Sequence, residues 1–327
     1  MTPSVPSPDS MSLGDRIWSR VLVLVLGSAV ALAEVAGVDR TLRFGAGFGR
    51  AWHRLRGPRT ERVRSQLRAA FPEWEPVGLG RVEVEVFTHL GQGVAEVLLM
   101  LGRHRTELVA SMEVIGLEHL EGAVRESGGL GAVVIGPHLG NWELGAAKLA
   151  SMGVPVSAVY RGMREPSLER AIVAVRGGSP GDTSGKDEAI EQIAMGRRAG
   201  VQFVRALEAG RNVLVLLDQR ARRGEGLSVD FFGRPANTRF GPLKLAGRIG
   251  APVLMAFARR EPDGRRHTLT FYPALDLERG GSDDEDALRR NLQRVTTEIE
   301  NEIRKVPGQW IWTHRRWRES PPPSGTV

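Results

Sequence analysis

The sequence predicts an α/β fold, with a largely parallel central sheet flanked by helices and one hydrophobic helix at the N-terminus. Three observations predict it. Apolar runs of strand length recur at Ala132–Ile135, Pro155–Tyr160, Val213–Leu217, Pro252–Phe257 and Thr268–Phe271. Stretches of helical periodicity lie between most of them, as expected for strands joined by helical crossovers. A separate apolar segment, Val21–Val38, stands well upstream of this alternation.

The elements can be justified in chain order. Residues 1–16 open with the Pro/Ser-rich stretch "MTPSVPSPDSMS" and are expected to form a disordered tail. Residues 17–57 hold the hydrophobic helix and a basic linker. "VLVLVLGSAVALAEVAGV" is roughly 18 residues long, just enough to cross a bilayer core. Glu34 interrupts it, so a helix lying in the membrane interface is the alternative reading. A cleaved signal peptide is disfavoured by the arginines that follow (Arg40, Arg43, Arg50, Arg54, Arg56, Arg59, Arg62, Arg64 and Arg68), which are poor substrates for export. The body is therefore expected on the cytoplasmic side of the membrane.

Residues 58–319 form that body. Arg81–Leu101 carries an apolar stripe at helical spacing, and the patterns at Asn141–Met152, Ser167–Arg176, Ala189–Ala209, Gly241–Ile249 and Asp284–Lys305 predict further helices. Residues 320–327 are a Pro-rich tail.

The chain has 327 residues, is 41% hydrophobic and carries a formal charge of +7. Its only lysines are Lys148, Lys186, Lys244 and Lys305, so the excess is arginine and predicts attraction to anionic partners. No nucleic-acid-binding motif accompanies it, which disfavours that partner. The absence of cysteine excludes disulfides, thiolate metal sites and an acyl-cysteine intermediate. No zinc spacing appears among the seven histidines, and no metal is predicted.

The stretch "GPHLGNWELG", Gly136–Gly145, holds an H-x-x-x-x-E pair, His138 and Glu143. At about 100° per residue the two lie roughly 140° apart on any single helix. They can meet only if His138 sits in a loop and Glu143 in the first turn after it, with Asn141 as the N-cap between them. Such a pair offers an imidazole base and a carboxylate to fix its tautomer. Arg161 follows a second predicted strand, and Asp218 with Gln219 a third, so all converge on one edge of the sheet, where open α/β sheets bind ligands.

No nucleophile completes a triad. "GGSPG", Gly177–Gly181, matches G-x-S-x-G, but Pro180 has no N–H for an oxyanion hole. "GDTSGKD" fails the phosphate-loop spacing, and no dinucleotide fingerprint is present. A base without its own nucleophile implies that the attacking hydroxyl belongs to a substrate and that transfer is direct.

The blocks "GPHLGNWELG", "YRGMREP", "LLDQR", "VDFFGRPANT" and "VPGQWIWTHRRW" follow one another in an order that resembles the bacterial lipid A biosynthesis acyltransferase family, the lauroyl/myristoyl type. The resemblance implies a glycerophosphate-acyltransferase-like fold, no cofactor, and transfer of a fatty acyl chain from acyl carrier protein or CoA thioester to a hydroxyl of a lipid A-type glycolipid. It implies His138 as general base and Glu143 as its orienting acid. Asn141, Arg161, Arg176, Asp218, Gln219, Phe232, Arg315 and Arg316 fall in or near the matching blocks and are expected at the substrate, with packing as the competing reading for Phe232 and a structural role for Asp218. His314 is expected to pack rather than act as a second base. Another lipid acceptor (a phosphoglycolipid, aminolipid or lysophospholipid) fits the same residues. A non-catalytic membrane-binding protein would have no need for the acid and base.

Overall fold

The computed structural model describes residues 12–55, 57–162, 165–176, 190–222, 224–278 and 284–317. The N-terminal tail up to residue 11, the serine and phosphate-loop look-alikes within 177–189, and the C-terminal tail lie outside them.

The described residues open with the helices α1 (Leu13–Ala36), α2 (Val38–Arg54), α3 (Pro58–Ala70) and α4 (Pro76–Leu101). The body then runs α5 (Arg105–Ala110), β1 (Met112–Ile115), α6 (Leu117–Glu126), β2 (Val133–Gly136), α7 (Trp142–Ser151), β3 (Val156–Tyr160) and α8 (Pro166–Val175). It continues with β4 (Glu191–Ala194), α9 (Ala199–Glu208), β5 (Asn212–Leu216), the hairpin β6 (Leu227–Phe231) and β7 (Arg234–Thr238), then α10 (Gly241–Ile249). Strands β8 (Val253–Arg260) and β9 (His267–Phe271) and helix α11 (Glu285–Lys305) complete it.

Seven strands form one sheet in the order β1-β9-β8-β2-β5-β3-β4, parallel throughout except where β9 meets β8. Side chains alternate between two cores, one on each face. Val133 and Ile135 enter the core built with α4, α9, α10 and α11, whereas Val134 enters the core built with α7. Burial on both faces explains why the central strands read as continuous apolar runs.

The predicted helix at Ala189–Ala209 is half wrong. Glu191–Ala194 is the edge strand β4, and the helix begins only at Ala199. Edge position leaves only Ile193 fully buried there, so no continuous apolar run announces the strand. β1 escapes the sequence for the same reason, since Met112 alone is buried in it.

Helix α1 fits the predicted hydrophobic segment and extends it backwards. Gly14–Ala36 is long and apolar enough to span a membrane, and only 6% of it is buried. α4 meets the same length and composition test but is 39% buried and packs into the body. Glu34 anchors the end of α1, accepting from the Arg103 N–H at 3.0 Å, which accounts for a carboxylate in an apolar run. α2 then lies on α4 at close range. A Cβ at Gly49 would stand 2.0 Å from the Phe87 carbonyl oxygen, and one at Gly45 2.5 Å from that of Gly91. Its opposite side exposes Phe44, Phe48 and Leu55 among Arg40, Arg43, Arg50 and Arg54.

Candidate active site

Parallel register assembles the site. β2 and β5 are neighbours with Gly136 opposite Leu216, so the second residue beyond each, His138 and Asp218, leaves the sheet side by side. His138 Nδ1 lies 2.7 Å from Asp218 Oδ1, and the His138 backbone N–H donates to Oδ2 at 2.8 Å. The Trp310 indole N–H donates to that same oxygen at 2.6 Å. Burial alone would raise the Asp218 pKa, but the charge of His138 and these three donors overcome it and pull it down to about 2. An ionised carboxylate accepts Nδ1–H, which leaves the Nε2 lone pair of neutral His138 free for a proton.

Burial also works against a charged His138. The Asp218 carboxylate outweighs it, Glu143 adds a smaller contribution, and the imidazole pKa lies above its ordinary value despite Arg176. The Gln219 side-chain amide stands 3.3 Å from Nε2, and the Trp142 ring meets the imidazole edge-on at 4.9 Å.

The H-x-x-x-x-E spacing predicts Glu143 as the imidazole's partner, but the structure gives that contact to Asp218. Asn141 does cap α7, accepting from the Leu144 N–H at 2.9 Å, and Glu143 does stand in the first turn. From there its carboxylate turns to Arg176, which donates through Nε at 2.6 Å and Nη2 at 2.8 Å. A guanidinium fork matches both carboxylate oxygens, a stronger pairing than one imidazole N–H offers. Arg176 also donates to Gln192 on β4 at 2.8 Å, so the pair ties α7 to the sheet edge.

His138 opens onto a cavity of about 670 Å³ that Gln219, Arg161 and Arg176 also line. Its walls are otherwise largely apolar, with Val159, Ile193, Phe203, Leu217 and Leu245 among them. A second, smaller cleft of about 80 Å³ runs between α7 and the sheet towards Leu269 and Phe271.

Five predicted substrate residues do not line this cavity, and Asp218 is one of them, buried behind His138 as its partner. Asn141 is buried and spends its amide on Glu96, 2.8 Å away. Phe232 is buried at φ 54° against Phe71 and Trp312. Arg316 is 1% exposed and donates to Thr238 Oγ1 at 2.6 Å; burial brings its pKa down to about 10. Arg315 is exposed but outside the lining. The C-terminal block instead braces the site from behind. Gly140 N–H donates to the Gln309 carbonyl at 3.2 Å, and Ile311 N–H to the His138 carbonyl at 3.2 Å. His314 is likewise occupied, its Nε2 accepting from the Arg220 N–H at 3.4 Å, and burial lowers its pKa.

A buried ion network supports the same loop from the other side. Glu96, on α4, pairs with Arg260, whose Nη2 lies at 2.7 Å, and with His267 at 3.0 Å. His89 stands 3.2 Å from the Gly140 carbonyl. Burial opposes ionisation of Glu96, but Arg260 and His267 keep it charged, well below the usual carboxylate range. Burial, reinforced by Arg260, pushes His89 down to about 4, so it is neutral and can donate to that carbonyl.

Sequence reasoning missed Trp142, Tyr160 and Arg239 as lining residues. Trp142 lies within a quoted motif and was legible there. Arg239 follows the last residue of another, and only the bridge between Thr238 and Arg220 brings it to the cavity.

A family model for bacterial lipid A biosynthesis acyltransferases matches residues 12–319. The chain belongs to that family. It is accordingly an acyltransferase of the lipid A type or a related one. Several proteins named as acyltransferases are similar to this family member. A lipid A biosynthesis acyltransferase of Haemophilus influenzae is 26% identical over 80% of this chain and 76% of its own length. The lipid A biosynthesis lauroyltransferase of Escherichia coli is 25% identical over 85% of each. A phosphatidylinositol mannoside acyltransferase of Mycobacterium tuberculosis is 28% identical over 62% of this chain and 58% of its own. An acyltransferase family acting on lipids, together with the bare apolar helix α1, indicates membrane association.

Proposed function

We propose that the protein moves a fatty acyl chain from a carrier-protein or CoA thioester to a hydroxyl of a lipid A-type glycolipid, with His138 as general base. The observation that carries this reading is the ionised, three-donor Asp218 fixing His138 Nδ1 beside a largely apolar cavity.

In the proposed cycle the acceptor hydroxyl oxygen attacks the thioester carbonyl carbon while its proton passes to His138 Nε2. Asp218 offsets the imidazolium that forms. The tetrahedral intermediate collapses by breaking the C–S bond, and the departing thiolate takes the proton back from Nε2. The ester is then complete and His138 is neutral again. Gln219 is placed to hydrogen-bond the incoming hydroxyl oxygen. Glu143 acts through Arg176, holding a guanidinium at the wall and adding negative charge near the imidazole. The apolar walls exclude water, which would otherwise compete for the acyl group.

Membrane placement follows from the N-terminal helices. In this reading α1 inserts into the inner membrane, and α2 lies in its cytoplasmic interface, with Phe44, Phe48 and Leu55 in the lipid and its arginines at anionic headgroups. Acceptor and base then share one side of the bilayer.

The test is transfer by purified protein given acyl carrier protein thioester and a lipid A precursor. His138→Ala is expected to lower turnover by at least about 100-fold, the scale of a lost general base. Unchanged turnover would remove the mechanism. A mannosylated phospholipid is the second reading for the acceptor, supported by the mycobacterial relative named above. Mass spectrometry of lipids from a deletion strain separates the two, through which lipid loses an acyl chain.

A further inference from the structure

Helix α8 and the residue that ends it, Arg176, form one wall of the cavity beside His138. Glu169, Ile172, Val173 and Arg176 line it, at the spacing of a single helix face. On the cavity side this wall is tied to the sheet edge. The Tyr160 hydroxyl donates to Glu169 at 3.0 Å, and Arg176 donates to Glu143 and to Gln192. Its back is held by other elements.

The last turn of α8 leans on Arg105 of α5. Arg105 Nη1 donates to the Val175 carbonyl at 2.5 Å and to that of Ala174 at 3.3 Å. Both belong to the carbonyls that a helix leaves without internal partners at its C-terminal end. α8 has no basic residue of its own in that turn, so the guanidinium supplies the missing donor and the positive charge that a helix C-terminus favours. Arg105 is half-buried, and burial opposes its charge and lowers its pKa. The two carbonyls offset that cost.

The two residues before Arg105 grip the apolar helix α1. The Arg103 N–H donates to Glu34 Oε1 at 3.0 Å, its Nη2 donates to the Glu34 carbonyl at 2.8 Å, and His104 Nε2 stands 3.3 Å from that same carbonyl. Further back along α1, the Ser19 hydroxyl lies 2.7 Å from the hydroxyl of Ser167, in the first turn of α8. α1 thus meets α8 directly near one end and the Arg105 turn at the other. Between them Leu22, Leu26, Ala29 and Ala33, part-buried or buried, recur every three or four residues, so the contact is a stripe along the helix.

We infer that Arg105 is a positioning residue for acyl transfer, fixing the last turn of α8, and so the Arg176–Glu143 pair at the cavity wall, from the same short turn that holds α1. Arg176 is the next residue after the clamped carbonyl of Val175, whose side chain is fully buried. A shift of that turn would therefore carry the Arg176 guanidinium, and with it the Glu143 carboxylate, away from the imidazole. Hydrogen bonds then run without a break from the membrane helix to the reacting centre, through Glu34, residues 103–105 and the end of α8. The inference rests on the reading of this cavity as the transfer site, and it adds the residue that keeps one wall in register.

Arg105→Met keeps the apolar stem and removes every donor. In the full-length chain in detergent micelles, amide hydrogen exchange over residues 172–176 should quicken about tenfold, the scale of a lost hydrogen bond to a charged group. Glu34→Ala, which frees the end of α1, should quicken it by a smaller factor. Transfer from acyl carrier protein thioester to a lipid A precursor should fall at least about tenfold in Arg105→Met, as for a displaced wall group, and Arg105→Lys should recover most of it. Added to Arg176→Gln, Arg105→Met should cost less than about twofold more, because it acts through Arg176, whereas a residue that only supports the fold would multiply the two losses. Should Arg105→Met not fold, Arg105→Gln carries the same comparisons.

Unchanged exchange in the Arg105 variant overturns the clamp, unchanged exchange in Glu34→Ala removes α1 from it, and multiplied losses overturn the positioning role. Exchange needs no substrate, so it separates these outcomes from failure of the reading above. A chain whose α8 loosens but which transfers no acyl group in any form keeps the clamp and loses the transferase mechanism. One that transfers at the wild-type rate with α8 loosened keeps the mechanism and loses the positioning role.

Discussion

Asp218 Oδ1 lies 2.7 Å from His138 Nδ1 across two neighbouring strands, while Glu143, five residues along the chain from that histidine, gives its carboxylate to Arg176. The two acids should therefore be separable by pH. His138 accepts a proton only when neutral, so kcat/KM should rise with pH through its raised pKa. Asp218→Asn removes the main raising influence and should shift that acid limb to lower pH, with activity down by at least about 100-fold. Glu143→Gln should move the limb less. Profiles of kcat/KM against pH check this, and an equal shift in both variants would contradict the assignment of Asp218.

The same carboxylate links stability to acid. Its native pKa of about 2 is below the ordinary 3.8, so its stabilisation is fully present above the unfolded value and is lost as pH falls towards 2. The amount is about 2 kcal/mol. Urea unfolding at pH 6 and pH 3 should show Asp218→Asn losing less stability on acidification than wild type does.

Glu96 is fully buried beneath the catalytic loop with Arg260, Asn141 and His267 around it. Glu96→Ala leaves a buried guanidinium uncompensated and should cost about 3–5 kcal/mol in urea unfolding. Activity should fall with it, because the Asn141 amide and the Gly140 carbonyl are both held by this network.

Two glycines of α2 offer an internal control. Gly49→Ala drives a methyl into the Phe87 carbonyl and should destabilise by about 1–3 kcal/mol. Gly47, on the same helix, has only the tip of Arg50 near its Cβ position, and Gly47→Ala should be neutral or stabilising by up to about 1 kcal/mol. Thermal unfolding of the two variants tests how tightly α2 sits on α4.

Phe44 and Phe48 are exposed one turn apart on the outer side of α2. Replacing both with Asp should weaken binding to anionic lipid vesicles at least about tenfold with little change in thermal stability, since neither side chain packs in the body. Vesicle flotation with and without the substitutions measures it.

The central strands were legible because both their faces are buried, which writes each as an apolar run. The edge strands β1 and β4 were not, since one buried side chain in four residues leaves no pattern. In the site, the loop position of His138, the cap at Asn141 and the convergence of Arg161, Asp218 and Gln219 at one sheet edge could all be read locally. The partner of the imidazole could not. Spacing along the chain favours Glu143, and only the register that sets Gly136 against Leu216 puts Asp218 nearer. Arg316 misled for a related reason: a guanidinium in a terminal motif looks like a ligand contact until the hairpin β6–β7 closes over it.

Trp310 holds Asp218, and its neighbours Gln309 and Ile311 clasp the backbone around His138. The ribosome delivers these residues long after α1 has emerged. A nascent chain can thus be tethered at the bilayer while its reactive centre is still unbraced. Synthesis itself then acts as a safety catch, and a chain stopped at Gly308 should be anchored yet silent.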